Sequence, residues 1–365
     1  MNKLFPLPFY CFLKIAFRNG GFTGKGLLNT LPWLLKTTLF EPLRWIELAT
    51  KNKKIRQHTI PNPPVFILGY YRSGTTYLQQ LFMEDKRLGY HSNFQMVFPE
   101  IMLTTEKWLT PVLESITRIF KLNNHVQRIP LTWYKSPGEE DVAMTAFLDP
   151  HAAQWGYFFP EKMSEYFEKY VLFQKISEDE MEKWKQSYFL LLKKISLANK
   201  GRQLILKSPP NTARIKMILS LFPDAKFIHI NRNPYEVYAS NKRLWKVAQE
   251  IYTLGSSKSF DVNSNIIDSY SKIMHRYLED KYLIPTGHLA ELRYEEFINN
   301  PVESMKNIYT SLHLDDFAYC EKEIVEFSEG QKKYVTLHHQ LPDKEVKIIS
   351  KKWEPIIRQL GYPLL

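Results

Sequence analysis

Cysteine is almost missing from this chain: 365 residues contain two, Cys11 and Cys320. Two thiols form at most one bridge, which excludes a disulfide framework, and no cysteine and histidine spacing of a zinc site occurs. A reducing, cytoplasmic compartment is expected, and no metal. Long apolar runs are lacking as well. The N-terminal stretch FPLPFYCFLKIAF is too short to span a bilayer, and no small-residue cleavage site follows it, so a signal peptide is not expected. There is no internal repeat and no low-complexity tract. No RNA-module signature is present either, and the basic residues are spread along the chain, which disfavours nucleic acid as a partner.

What the chain does have is positive charge. Lys and Arg number 49 against 38 Asp and Glu, a net +11. That balance suits anionic ligands or an acidic membrane face, or marks only a soluble basic surface. Residues 1 to 60 read as a helical arm, aromatic and amphipathic with interspersed lysines and arginines, that ends at the breaker TIPNPP. Such helices suit peripheral contact with an anionic membrane; packing on the core is the equal alternative. Residues 61–365 read as one catalytic body. Apolar runs VFILG, QLILKS and KFIHIN, with LAELRYE as a more alternating fourth, are expected strands, separated by helical patterns such as MEKWKQSYFLLLKKISLAN and YEVYASNKRLWKVAQEIY. Strands alternating with helices imply an α/β fold with a central parallel sheet. Residues 250–265 read as a polar loop.

The first strand runs into GYYRSGTT. Gly69, Gly74, Thr75 and Thr76 match the phosphate-loop pattern GxxxxGK[ST], except that Thr75 stands where the lysine belongs. Glycines let the backbone turn sharply and present amides, and the following helix N-terminus adds about half a positive charge, so the turn suits an anion. Arg72 supplies a cation from inside the loop, with a planar fork that fits a phosphate or sulfonate. A glycine-rich turn without a ligand is the plain alternative. A second signal is NRNPYEVYAS: Arg232 ends an expected strand, Pro234 opens a helix, and Ser240 follows Arg232 by eight residues. Eight helical residues span about 12 Å, close enough for a long arginine and a serine hydroxyl to meet one phosphate. A nucleotide or small-molecule kinase of the P-loop type would need the missing lysine and an acidic magnesium ligand after a strand, where FIHINRNP offers asparagine and arginine. A noncatalytic membrane-surface protein on a dead nucleotide fold is a third reading.

RSGTT (72–76) together with Arg232 and Ser240 resembles the sulfotransferases that use 3′-phosphoadenosine-5′-phosphosulfate (PAPS), most closely the bacterial type. The likeness runs through LILKSPPNTARI, LFPDAKF, ELRYEEF and KKWEPIIRQLGY, about residues 63–362, and shares a KxP turn and an FPxAKF strand with tyrosylprotein sulfotransferases. The resemblance implies a P-loop-like three-layer α/β/α fold. It also implies that Arg72, Ser73, Gly74, Thr75 and Thr76 hold the 5′-phosphosulfate while Arg232 and Ser240 grip the 3′-phosphate. A neutral Thr75 then suffices, because no γ-phosphate exists.

Sulfuryl transfer to a hydroxyl needs cations on the moving group and a base for the acceptor proton, by analogy with phosphoryl transfer. Arg72 and Lys207, the lysine of the KxP turn, are the candidate cations. For the base, KSPGEEDVAM offers Glu139 and Glu140, with Asp141 beside them; acids in a first helical turn are also ordinary dipole complements. Related bacterial sulfotransferases carry a similar segment. His91, Glu100, His151, His338 and His339 are further options, and Lys332 and Lys333 could touch the nucleotide. The aromatic region from about 85 to 190 is expected to build the acceptor site, for a hydroxyl on a glycan, lipid or small molecule.

Overall fold

In chain order the principal elements of this computed structural model are α1 (Pro8–Arg18), α2 (Gly24–Leu39), α3 (Glu41–Gln57), β1 (Val65–Leu68), α4 (Thr75–Met83), β2 (Leu88–Tyr90), α5 (Met102–Ile119), α6 (Glu140–Ala146) and α7 (Glu178–Ala198). There follow β3 (Gln203–Lys207), β4 (Lys226–Asn231), α8 (Pro234–Tyr252), α9 (Val262–Asp280), β5 (Leu289–Arg293), α10 (Pro301–Ser311), α11 (Glu321–Gln331) and α12 (Asp343–Gln359). The structure describes residues 8–124, 129–331 and 341–365. They fall into two units, one of residues 60–90, 199–243 and 262–365, the other of the residues up to 59 with 91–198 and 244–261.

The sheet belongs to the first of these. Its five strands run in the order β2-β3-β1-β4-β5, and every pairing is parallel. All four residues of β1 are buried, as expected of a central strand covered on both faces. Alternation then decides which side each residue serves. Val65, Ile67, Ile228 and Ile230 face a core shared with Leu78, Leu81 and Phe82 of α4 and with Met305 and Ile308 of α10. On the opposite face Phe66 stacks on Phe227 (5.9 Å), His229 stacks on Tyr277 of α9 (3.7 Å), and Trp353 of α12 packs on Tyr270 of α9 (4.0 Å). Helices, sheet and helices make the three layers that the family resemblance implied. The expected polar stretch 250–265 is shorter than read: its first three residues finish α8, and α9 already starts at Val262.

The other unit is helical. Phe12 of α1 stacks on Trp33 of α2 (5.7 Å), which meets Phe158 edge-on (5.3 Å), so the N-terminal helices pack on residues of the 91–198 segment. Buried charge reinforces this. Glu47 of α3 pairs with Lys194 of α7 at 2.5 Å and accepts the backbone N–H groups of Leu103 and Thr104 at the start of α5. A carboxylate there satisfies amides that the helix itself leaves open, and it complements the helix dipole. Lys36 reaches Glu100 (3.1 Å) and donates to the Ala146 carbonyl.

Candidate active site

The turn that leaves β1 is held in place from several sides. The Gly69 amide donates to the Thr212 hydroxyl (2.8 Å) in the turn after β3, and the Asn241 side chain of α8 donates to the Tyr71 carbonyl (2.9 Å). A methyl group on Gly69 would lie 2.6 Å from Ser73 Oγ and 2.7 Å from the Ile230 carbonyl, and φ is +150° there, so only glycine fits. Ser73 donates its hydroxyl to the Tyr70 carbonyl (2.7 Å), which shapes the loop from within. Arg72 adopts a left-handed φ of 71°, an unfavourable conformation for a side-chain-bearing residue that the surrounding bonds must hold.

Beyond the turn, Gly74 caps α4 with φ +100° and contributes no side-chain cap. The first amides of α4 therefore meet no cap from that residue, and the positive end of the helix dipole lies beside Thr75, buried, and Thr76, half-buried. Such a helix start suits an anion.

Three of the expected ligand-binding side chains come together around this turn. Arg72 donates from Nε to the Ser240 hydroxyl of α8 (3.0 Å). Arg232, delivered by the C-terminal end of β4, donates from Nη1 to the Arg72 carbonyl (3.2 Å) and lies 3.6 Å from Glu236. Its guanidinium also sits 4.5 Å over the ring of Tyr294. Lys207 ends β3, in register with Ile67 of β1, and is buried. The loop thus lies at the carboxyl ends of the parallel strands, where open sheets gather ligands.

Several residues that sequence reasoning missed support these. The ring of Tyr294 fills the space over Gly74, into which any Cβ would run. Glu295 accepts the Asn233 amide (2.9 Å), so it braces the turn that carries Arg232. The Tyr362 hydroxyl donates to Glu295 (2.8 Å) and lies 2.9 Å from the Asn231 side-chain oxygen; burial and the Glu295 carboxylate raise its pKa. Tyr294, Glu295 and Tyr362 all sit in the quoted segments ELRYEEF and RQLGY, but nothing local in those strings says what they touch.

The acidic candidates belong to the helical unit. Glu139 precedes α6 and is half-buried, whereas Glu140 and Asp141, in the first turn, are fully buried. Glu139 also registers on Tyr252, whose phenol is pushed up first by burial and then by the Glu139 charge. His91 is fully buried, and burial pushes its imidazole down to about 4, a poor proton acceptor at neutral pH. Glu100 is occupied by Lys36, and His151 is hydrogen-bonded to Asp149 at 2.8 Å. His338, His339, Lys332 and Lys333 lie outside the described residues. Among the described residues no group of His, Cys, Asp and Glu is placed to hold a metal ion.

Residues 63–318 match the model of the Sulfotransferase family. The chain is 28% identical over 313 residues, covering 85% of itself and 78% of the relative, to the omega-hydroxy-beta-dihydromenaquinone-9 sulfotransferase Stf3 of Mycobacterium bovis. The same figures hold for the Mycobacterium tuberculosis protein of that name. In three dimensions it is similar to the crystal structure of sulfotransferase STF9 from Mycobacterium avium, with TM-score 0.75 and 17% identity over 100% of this chain and 99% of that one. Sulfotransferase STF1 from Mycobacterium tuberculosis follows with TM-score 0.61 at 15% identity, over 86% and 81% of the two chains. These two likenesses carry the fold; the family match spans more than half of the sequence. The chain belongs to the sulfotransferase family.

Proposed function

We propose that this transferase moves a sulfuryl group from PAPS to a hydroxyl of a glycan, lipid or small molecule, and that a membrane lipid is the acceptor. The observation that carries the donor reading is the meeting of Arg72, Arg232 and Ser240 beside the uncapped start of α4. Amides of Gly74, Thr75 and Thr76, with Ser73 shaping the loop, suit the 5′-phosphosulfate; Arg232 and Ser240 suit the 3′-phosphate. Arg72 touches Ser240, so it serves both ends, and Lys207 supplies the second cation towards the moving group. No metal is required, since the charge that develops in transfer is met by fixed cations and amides.

In the reaction the acceptor oxygen forms a bond to sulfur while the bond from sulfur to the 5′-phosphate oxygen breaks, and adenosine 3′,5′-bisphosphate leaves. The acceptor proton goes to a carboxylate. Glu139 is favoured over Glu140, because a half-buried group at a helix start can meet a substrate and a fully buried one cannot without rearrangement. A lipid acceptor draws support from the relative named for a menaquinone derivative. Two cysteines outside any disulfide suit the cytoplasmic side, and the N-terminal helices suit peripheral contact with the membrane. Among the described residues no helix is long and apolar enough to cross a membrane.

The test is transfer of labelled sulfate from PAPS to a hydroxylated lipid in vesicles. Glu139→Gln should lower kcat by about a hundredfold or more with little change in donor KM. Small and equal effects of Glu139→Gln and Glu140→Gln on both constants would reduce these acids to helix-start complements, and no transfer to any hydroxyl would end the reading.

A further inference from the structure

Helix α2 is patterned inside out. Its buried positions are Gly26, Thr30 and Thr37, while Leu27, Leu28, Leu31, Leu35 and Leu39 are exposed, Leu28 at 77%. A helix on the surface of a water-soluble domain turns its leucines inward and its threonines out. From Trp108 onward α5 shows a similar pattern: Thr110 and Thr117 are buried beside Leu109, while Trp108, Val112, Ile116 and Ile119 are exposed. Both helices belong to the same unit.

The charge that these segments expose is one-sided. Residues 8–57 contain nine Lys and Arg against two Glu, a balance of 9 − 2 = +7. Neither glutamate is exposed: Glu47 is buried against Lys194, and Glu41 is held by Arg44. Every exposed charged residue of that segment is basic, namely Lys14, Arg18, Lys25, Lys53, Lys54 and Arg56. In α5 and the residues just after it the same holds for Lys107, Arg118 and Lys121, while Glu114 is turned onto the Trp133 amide. By contrast α7 exposes Glu178, Asp179 and Glu182 beside Lys183, the usual mixture of a solvated helix. Exposed apolar side chains on segments whose exposed charges are all basic, with the acids withdrawn, complement the headgroup region of an anionic bilayer. A second copy of this chain would set like charges against each other around the same leucines.

We propose that the outer faces of α2 and of the C-terminal half of α5 are the surface on which this protein rests in the interfacial zone of an anionic membrane. This deepens the lipid-acceptor reading and gives the peripheral contact an address. Vesicle binding is read without donor or acceptor, so it stands or falls apart from sulfuryl transfer.

The experiment is flotation of the full chain with phosphatidylglycerol or phosphatidylcholine vesicles at low and high salt. Expected are binding to phosphatidylglycerol that weakens at least about tenfold in phosphatidylcholine or in high salt, and similar losses in Leu28→Asp with Leu31→Asp, in Ile119→Asp and in Lys53→Glu with Lys54→Glu. Titration with adenosine bisphosphate confirms that each variant is folded. Absence of wild-type binding, or binding that all three variants retain, overturns the proposal. So does a dimer that Leu28→Asp with Leu31→Asp dissociates while vesicle binding is unchanged, which would assign the leucines to a second copy. Should the α2 double variant fail to fold, the salt dependence and the lysine variant decide alone.

Discussion

Tyr294 touches both halves of the proposed donor site: its ring occupies the space above Gly74 and carries the Arg232 guanidinium at 4.5 Å. A methyl group at position 74 meets that ring and also forces a side-chain residue to φ +100°. Gly74→Ala should therefore weaken adenosine bisphosphate binding at least about tenfold and lower stability by about 1–3 kcal/mol, read by calorimetry and urea unfolding. Tyr294→Leu keeps the bulk and removes the aromatic face, and is expected to weaken the same binding roughly 2- to 30-fold, the range of a cation over a ring. An unchanged affinity would mean that Arg232 does not depend on the ring for its position. At this scale the residues legible from the sequence were those whose message is local: a cation inside a glycine turn, or an arginine and a serine eight apart. Thr212, Asn241, Tyr294 and Tyr362 act on chain far from their own positions, and no string of neighbours announces that.

Elements were readable where burial leaves a signature. VFIL, QLILK and KFIHIN form central parallel strands because unbroken apolar runs suit strands covered on both faces, while the three-residue β2 is too short to show any period. Helix α2 is readable as a helix, but its orientation is not, because its buried side is the threonine side. The tail after α12 shows what one element does for another: Tyr362 holds Glu295, and Glu295 holds the Asn233 amide beside Arg232. Tyr362→Phe should lower stability by about 1–3 kcal/mol, the worth of a hydrogen bond to a charged group, and weaken bisphosphate binding severalfold. In the helical unit Glu47 joins α3 to α7 and to the start of α5. Glu47→Ala leaves Lys194 buried without this partner and should cost about 3–5 kcal/mol in unfolding measurements. Glu47→Gln should recover part of that, since an amide oxygen still accepts from Leu103 and Thr104.

For the molecule as a whole, two buried histidines set an acid limit. Burial pushes His91 down to about 4 and His229 down to about 3, so both stay neutral in the folded chain where the unfolded chain takes up a proton. Their contribution is complete above the ordinary histidine pKa near 6.5 and is lost as pH falls through the folded values, roughly 3 kcal/mol or more for each. Urea midpoints should therefore drop between about pH 6.5 and 4, and His229→Gln should flatten that slope; an unchanged slope would mean that His229 does not contribute to it. The proposed donor site should hold an adenosine with phosphates at both ends, and calorimetric titration tests this most directly. Adenosine 3′,5′-bisphosphate should bind far more tightly than ATP with magnesium, and Arg72→Ala and Arg232→Ala should each weaken it at least about tenfold. Equal binding of the two nucleotides, or full affinity after both arginines are removed, would contradict it.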